Sequence, residues 1–129
     1  MKQRILTLGI ITIFILTIFI GCSENSYEKV LIPTVGITRI WDMTSTTAIC
    51  EAEVISDGGG IITSRGFCYS LEYSPDLDDF ITNEGGGNGA FTSQLNSLAP
   101  GTPYWVRAYV TNSEGTGYSS ARGFYTRND

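Results

Sequence analysis

From Pro33 to the C-terminus no stretch keeps a helical spacing of apolar residues. Short β-branched and aromatic runs alternate with clusters of Gly, Ser, Asn and Pro, and that punctuation limits the chain to strands joined by turns. Val35–Trp41 reads as the first strand. Thr47–Ile55 alternates cleanly, with Ala48, Cys50, Ala52 and Val54 on one face and Ile49, Glu51 and Glu53 on the other. Asp57-Gly58-Gly59-Gly60 is a turn, because consecutive glycines accept backbone angles that other residues avoid. Ile61–Leu71, Phe80–Thr82 (a short edge strand), Ala90–Asn96, Pro103–Asn112 and Tyr118–Thr126 supply the rest. Pro103–Asn112 is the clearest of these, with Tyr104, Val106, Ala108 and Val110 on one face. Seven short strands at regular spacing predict an all-β, two-sheet sandwich of the immunoglobulin-like kind over residues 33–129.

The first residues have a different character. Met1-Lys2-Gln3-Arg4 is positively charged, and Ile5–Ile20 is an apolar run relieved only by threonines and Gly9. Phe19-Ile20-Gly21-Cys22 follows, and polar Ser23-Glu24-Asn25-Ser26 comes directly after it. A run this short behind a positive start reads as a secretory signal. The small residue before Cys22 resembles the lipobox of bacterial lipoprotein signals, with Phe19 where leucine is usual. The resemblance implies a signal peptide over 1–21, a diacylglycerol on the Cys22 thiol and cleavage before it. Residues 22–32 are then the lipidated cysteine and its tether. The nine residues Ser23–Leu31 reach about 30 Å at most. The alternative is an uncleaved membrane anchor carrying an incidental cysteine.

Without residues 1–21 the chain has six Lys and Arg against 13 Asp and Glu, a net charge of −7. Such a charge excludes phosphate-driven nucleic-acid binding. The sequence has no histidine, which removes Ser-His-Asp and Cys-His nucleophile systems and His-ligated metals. Glu51 and Glu53 share one strand face that points to solvent, so they form no convergent acid–base pair. Neither enzyme activity nor a cofactor is expected. Glu84–Gly89 lacks the Gly-Lys-Ser/Thr of a phosphate loop and reads as a turn. Glu72, Asp76, Asp78 and Asp79 crowd one loop. Their spacing is not that of an EF-hand, so a solvated acidic loop is the plainer reading and a calcium site at Asp76, Asp78 and Asp79 the lesser one.

A family resemblance rests on Leu98-Ala99-Pro100-Gly101-Thr102-Pro103-Tyr104 and the strand it enters. This stretch resembles the tyrosine corner of fibronectin type III domains. The resemblance implies that the Tyr104 hydroxyl bonds back to backbone at the Leu98–Pro100 corner. Ser56-Asp57-Gly58-Gly59, Arg65-Gly66-Phe67-Cys68-Tyr69-Ser70 and Arg122-Gly123-Phe124-Tyr125-Thr126 extend the likeness over Thr34–Thr126. There the chain is similar to fibronectin-like domains of Bacteroidetes surface and secreted proteins.

In that fold Cys50 and Cys68 fall in opposite sheets. In an oxidising compartment a disulfide closing about 17 residues would contribute roughly 3 kcal/mol; two buried free thiols are the alternative. Cys50 points inward by parity, whereas Phe67 and Tyr69 compete with Cys68 for the inward position. If Cys68 points in, then Phe67, Tyr69, Trp105 and Tyr109 share an outer face that suits a sugar or a protein partner. Against this, the stems of Arg65, Arg107 and Arg122 would cover that face and merely stabilise the sheet.

These readings converge on a monomeric, non-catalytic module of the cell envelope, expected on the outer membrane, on either side of it. It would be held by a lipid anchor and bind a protein or glycan ligand. The alternative is a structural subunit of a larger envelope assembly.

Overall fold

A computed structural model describes residues 27–129. The signal peptide and the lipidation expected at Cys22 lie outside the described residues. Eight strands follow in order: β1 (Thr34–Trp41), β2 (Ala48–Ser56), β3 (Ser64–Ser70), β4 (Phe80–Ile81), β5 (Ala90–Leu95), β6 (Pro103–Thr111), β7 (Thr116–Tyr118) and β8 (Arg122–Tyr125). One sheet has the order β1-β2-β5. The other runs β4-β3-β6-β7, with β8 also paired to β6. Each pairing is antiparallel.

The count is eight rather than seven because the last predicted strand is two. Thr116–Tyr118 and Arg122–Tyr125 both lie along β6, separated at Ser119–Ala121. The Ser119 amide donates to Ala108 O (3.0 Å), and its hydroxyl accepts from the Ala108 amide (2.9 Å). That hydroxyl also donates to Ser120 O (3.0 Å). A side chain has taken over one rung of the ladder, which is how a bulge interrupts a strand without leaving buried groups unpaired.

The core lies between the sheets. The inward row of β2 is as the alternation predicts, with Ala48, Cys50 and Ala52 fully buried. Val106, Ala108 and Val110 of β6 face them, and Phe91, Leu95 and Phe124 fill the flanks. Small residues sit at the centre on both sheets, so one large side chain has to occupy the middle. Phe67 does so: it is fully buried, pairs with Ala108 and packs on Phe91 with ring centroids 5.4 Å apart.

The chain enters the domain at a defined end. Within the segment read as tether, the Leu31 amide donates to Gly58 O (2.8 Å) and Leu31 O accepts from Asn112 Nδ2 (2.7 Å). The same Asn112 amide group donates to Asp57 O (2.9 Å), while its Oδ1 accepts from the Glu114 amide (2.8 Å). One buried asparagine thus ties the N-terminal segment, the β2–β3 loop and the β6–β7 turn together. A Cβ at Gly117 would lie 1.8 Å from Pro33 O, so glycine is required where the entering chain crosses β7. This end is called proximal here. The opposite, distal end carries the Asn96–Thr102 corner and the C-terminus, where Arg127 donates to Thr44 O (3.0 Å).

Candidate functional site

The parity of β3 decides what the surface offers. Phe67 is in the core and Tyr69 packs against it from the distal side, so Cys68 points out of the sandwich. It is buried there beneath the β3–β4 loop, with Sγ 3.5 Å from Pro75 O and 3.6 Å from Arg107 O. Cys50 points inward from the other sheet. Both thiols are free, which corrects the expected disulfide: β3 itself stands between the two sulfurs. Volume settles this, since a cysteine facing Ala108 would leave the centre of the core unfilled.

Burial pushes the Cys50 thiol up to about 12 from an ordinary value of 9.0. Burial also raises Cys68, to about 11, with Arg107 pulling the other way. A thiol that stays protonated when folded but ionises near pH 9 when unfolded contributes stability that is full below that pH and is lost as pH rises through the folded value. Stability is therefore expected to fall from about pH 9 toward 11–12, by about 1.4 kcal/mol per pH unit for Cys50. Urea midpoints at pH 8 and 10 test this. A Cys50→Ala variant should lose stability less steeply over that range, and equal slopes would refute the assignment. The native protein should also resist thiol reagents at pH 8 and expose two reactive thiols on unfolding, with the same mass with and without reductant.

The expected aromatic face is not assembled. Phe67 is interior. Tyr109 is on the outer face but only 2% exposed. It pairs with Gly66 of β3, and its hydroxyl donates to Thr82 O. A Cβ at Gly66 would meet that carbonyl at 2.2 Å, so the glycine makes room for the chain leaving β4. The rest of the face is roofed by the β3–β4 loop. Arg107 holds the roof: Nη1 donates to Ser74 Oγ and Pro75 O (both 3.1 Å) and Nε to Ser119 O (3.1 Å). Its guanidinium lies 4.2 Å above the Tyr118 ring. Of the three arginines expected on this face only Arg107 covers it. Arg65 turns to Gly87 O and Asn88 O, and Arg122 to Ile37 O.

The acidic residues of the same loop organise its own backbone. Asp79 Oδ2 accepts from the Asp76 amide and Asp76 Oδ1 from the Asp78 amide, each at 2.9 Å. Among the described residues no group of three His, Cys, Asp or Glu side chains is arranged to hold a metal.

Aromatic groups gather instead at the distal end. β5 stops at Leu95, where the chain turns into the Asn96–Thr102 corner, and β4 begins beside Tyr69, leaving a gap between the sheets there. The gap is a cleft of about 340 Å³ lined by Tyr69, Phe80, Asn96, Ser97, Leu98 and Tyr104. Ser97 has φ of 59°, which turns the chain sharply into the corner. Tyr104 behaves as the resemblance implies: its hydroxyl accepts from the Ala99 amide at 2.8 Å. The Tyr69 and Phe80 rings stack at 5.7 Å along one wall. Behind Tyr104 a smaller groove of about 230 Å³ runs along Trp105, Gly123 and Tyr125. Tyr73 of the roof meets Trp105 edge-on at 4.8 Å. Tyr73, Phe80 and Tyr125 are 69%, 65% and 71% exposed.

Tyr69 and Trp105 therefore both belong to the site, but on opposite sides of their sheet. Sequence reasoning missed Tyr73, Phe80 and Tyr125. Their one signal is a high aromatic density around a loop and a very short strand. The lining offers rings, an amide and hydroxyls.

Comparison with known proteins agrees with this architecture. The sensor domain of the anti-sigma factor RsgI4 of Pseudobacteroides cellulosolvens is similar at 17% identity, covering 77% of this chain and 98% of that one, with a TM-score of 0.53. The chicken CNTN1 FN1-FN3 domains are similar at 16% identity, covering 77% of this chain and 31% of that one, with a TM-score of 0.56. No protein-family model and no curated protein sequence matches. The fold is a fibronectin type III-like sandwich; identities this low carry the fold alone.

Proposed function

We propose that this chain is a non-catalytic binding module of the cell envelope, anchored through Cys22, that takes a protein or glycan ligand at its distal aromatic end. The observation that carries this reading is the pair of clefts around Tyr104, rimmed by three exposed aromatic rings at the end opposite the N-terminal entry. Rings held at low conformational cost beside a few amides and hydroxyls are an economical way to bind a sugar or a peptide. An anchor on the N-terminal side leaves that end turned away from the bilayer. The similarity to a sensor domain and to FN domains supports a recognition role by analogy of fold.

The test is an oligosaccharide array together with photocrosslinking from position 80 in intact envelopes. Ligands retained by the parent protein should weaken at least about tenfold in Phe80→Ala or Tyr125→Ala at unchanged melting temperature, the scale for an aromatic anchor. Hits insensitive to both changes, or no hits, overturn the site. Co-purification in a stable complex that survives both changes would favour the structural-subunit reading.

A further inference from the structure

The proximal end carries an exposed aliphatic cluster that the binding site does not use. Leu31 and Ile32 are 57% and 52% exposed, Ile61 in the β2–β3 loop 82%, and Ile55 at the end of β2 71%. Asn112 and the backbone of Leu31 make the connections, and Ile32 merely lies over the β6–β7 turn, 3.6 Å from where a Gly115 Cβ would be. Four large aliphatic side chains are thus exposed at one end of a small domain, apolar surface that water alone does not favour.

The position of the patch says what covers it. Val30 lies against Gly60, so the chain leaves the domain from within the cluster. Only residues 23–29 separate it from Cys22. Fully extended, those seven residues span about 25 Å. The lipid expected on Cys22, or in the uncleaved alternative the apolar run of residues 5–20, belongs in a bilayer, so membrane lies within reach of this end. We infer that the proximal aliphatic cluster of Leu31, Ile32, Ile55 and Ile61 rests in the surface of the bilayer that anchors the chain. The inference rests on the membrane-anchored reading above. It replaces a domain swinging on a tether with one standing on its proximal end, the distal clefts pointing away from the lipid.

Charge narrows the choice of lipid. Glu28, Asp57 and Glu114 accompany Lys29 at this end. Contact with an anionic surface is opposed, and a zwitterionic interface, into which aliphatic side chains can insert without that repulsion, is favoured.

The test uses the full chain reconstituted in phosphatidylcholine vesicles. An environment-sensitive fluorophore is placed on Ile61→Cys and, separately, on Gln94→Cys, an exposed position toward the distal end of β5. The parent chain, treated identically, supplies the background. Brominated lipids should quench the Ile61 label at least about twofold more than the Gln94 label, and added anionic lipid should reduce the difference. Flotation of the chain with the vesicles is scored in the same samples. A chain that floats with both labels equally unquenched overturns the resting end while leaving the anchor intact. A chain that does not float overturns both.

Discussion

Replacing Phe67 by alanine should lower the unfolding free energy by about 3–5 kcal/mol, the cost of emptying a buried aromatic position. The site cannot collapse readily, because its neighbours Ala108, Ala52 and Ala48 are already small and belong to paired strands. Phe91, which shares the contact, would lose its ring partner as well. The loss appears as a fall in urea midpoint at unchanged slope. Phe67→Leu keeps most of the volume and should cost far less, which guards against a variant that simply fails to fold. A loss under about 1 kcal/mol for the alanine variant would place Phe67 on the surface, the alternative that parity alone permits.

Arg107→Ala should release the β3–β4 loop without unfolding the sandwich. The guanidinium makes two hydrogen bonds to that loop and one to Ser119 O, and stacks on Tyr118. Hydrogen bonds from a charged donor contribute about 1.5–3 kcal/mol each. Removing them should cost roughly 2–4 kcal/mol of loop closure, with part regained by water. Cys68 reports the change directly, since the roof is what buries it. Its labelling by a thiol reagent should rise by about thirtyfold or more, each 1.4 kcal/mol being tenfold. Cys50 should stay inert, because the core is untouched. Arg107→Lys should not restore protection: an ammonium cannot fork between Ser74 and Pro75 while still reaching Ser119. Equal labelling of both thiols would mean global destabilisation, and unchanged labelling would mean the loop holds itself.

The two experiments probe the same strand from its two faces, and that strand is where sequence reasoning stopped. In Arg65-Gly66-Phe67-Cys68-Tyr69 an inward cysteine and an inward phenylalanine obey the same alternation. Nothing local distinguishes them, since a free cysteine and a phenylalanine are both commonly buried. Elsewhere the pattern was unambiguous. Ala48, Cys50 and Ala52 alternate with Ile49, Glu51 and Glu53, none of them buried, and β2 lies as they require. The tyrosine corner was legible through the resemblance to fibronectin type III domains, because the residues that carry it, Leu98, Pro100 and Tyr104, lie within seven residues of chain. The split of the last strand was not legible, because the hydroxyl that interrupts it belongs to Ser119 and the amide it takes to Ala108, on the neighbouring strand.

What the residues determined by themselves is local: strands rather than helices, glycine turns and the residues of the corner at Tyr104. These follow from backbone preference and from short-range hydrogen bonds, which act between near neighbours. What only the tertiary structure decided is long-range. The small side chains of β2 and β6 select Phe67 for the centre and so send Cys68 outward. Arg107 then draws the acidic loop over the expected binding face. The end of β5 at Leu95 and the start of β4 at Phe80 frame a cleft where Tyr69, Phe80 and Tyr104 meet. Each depends on which volumes face each other across the sandwich, and strand alternation alone does not set those pairings.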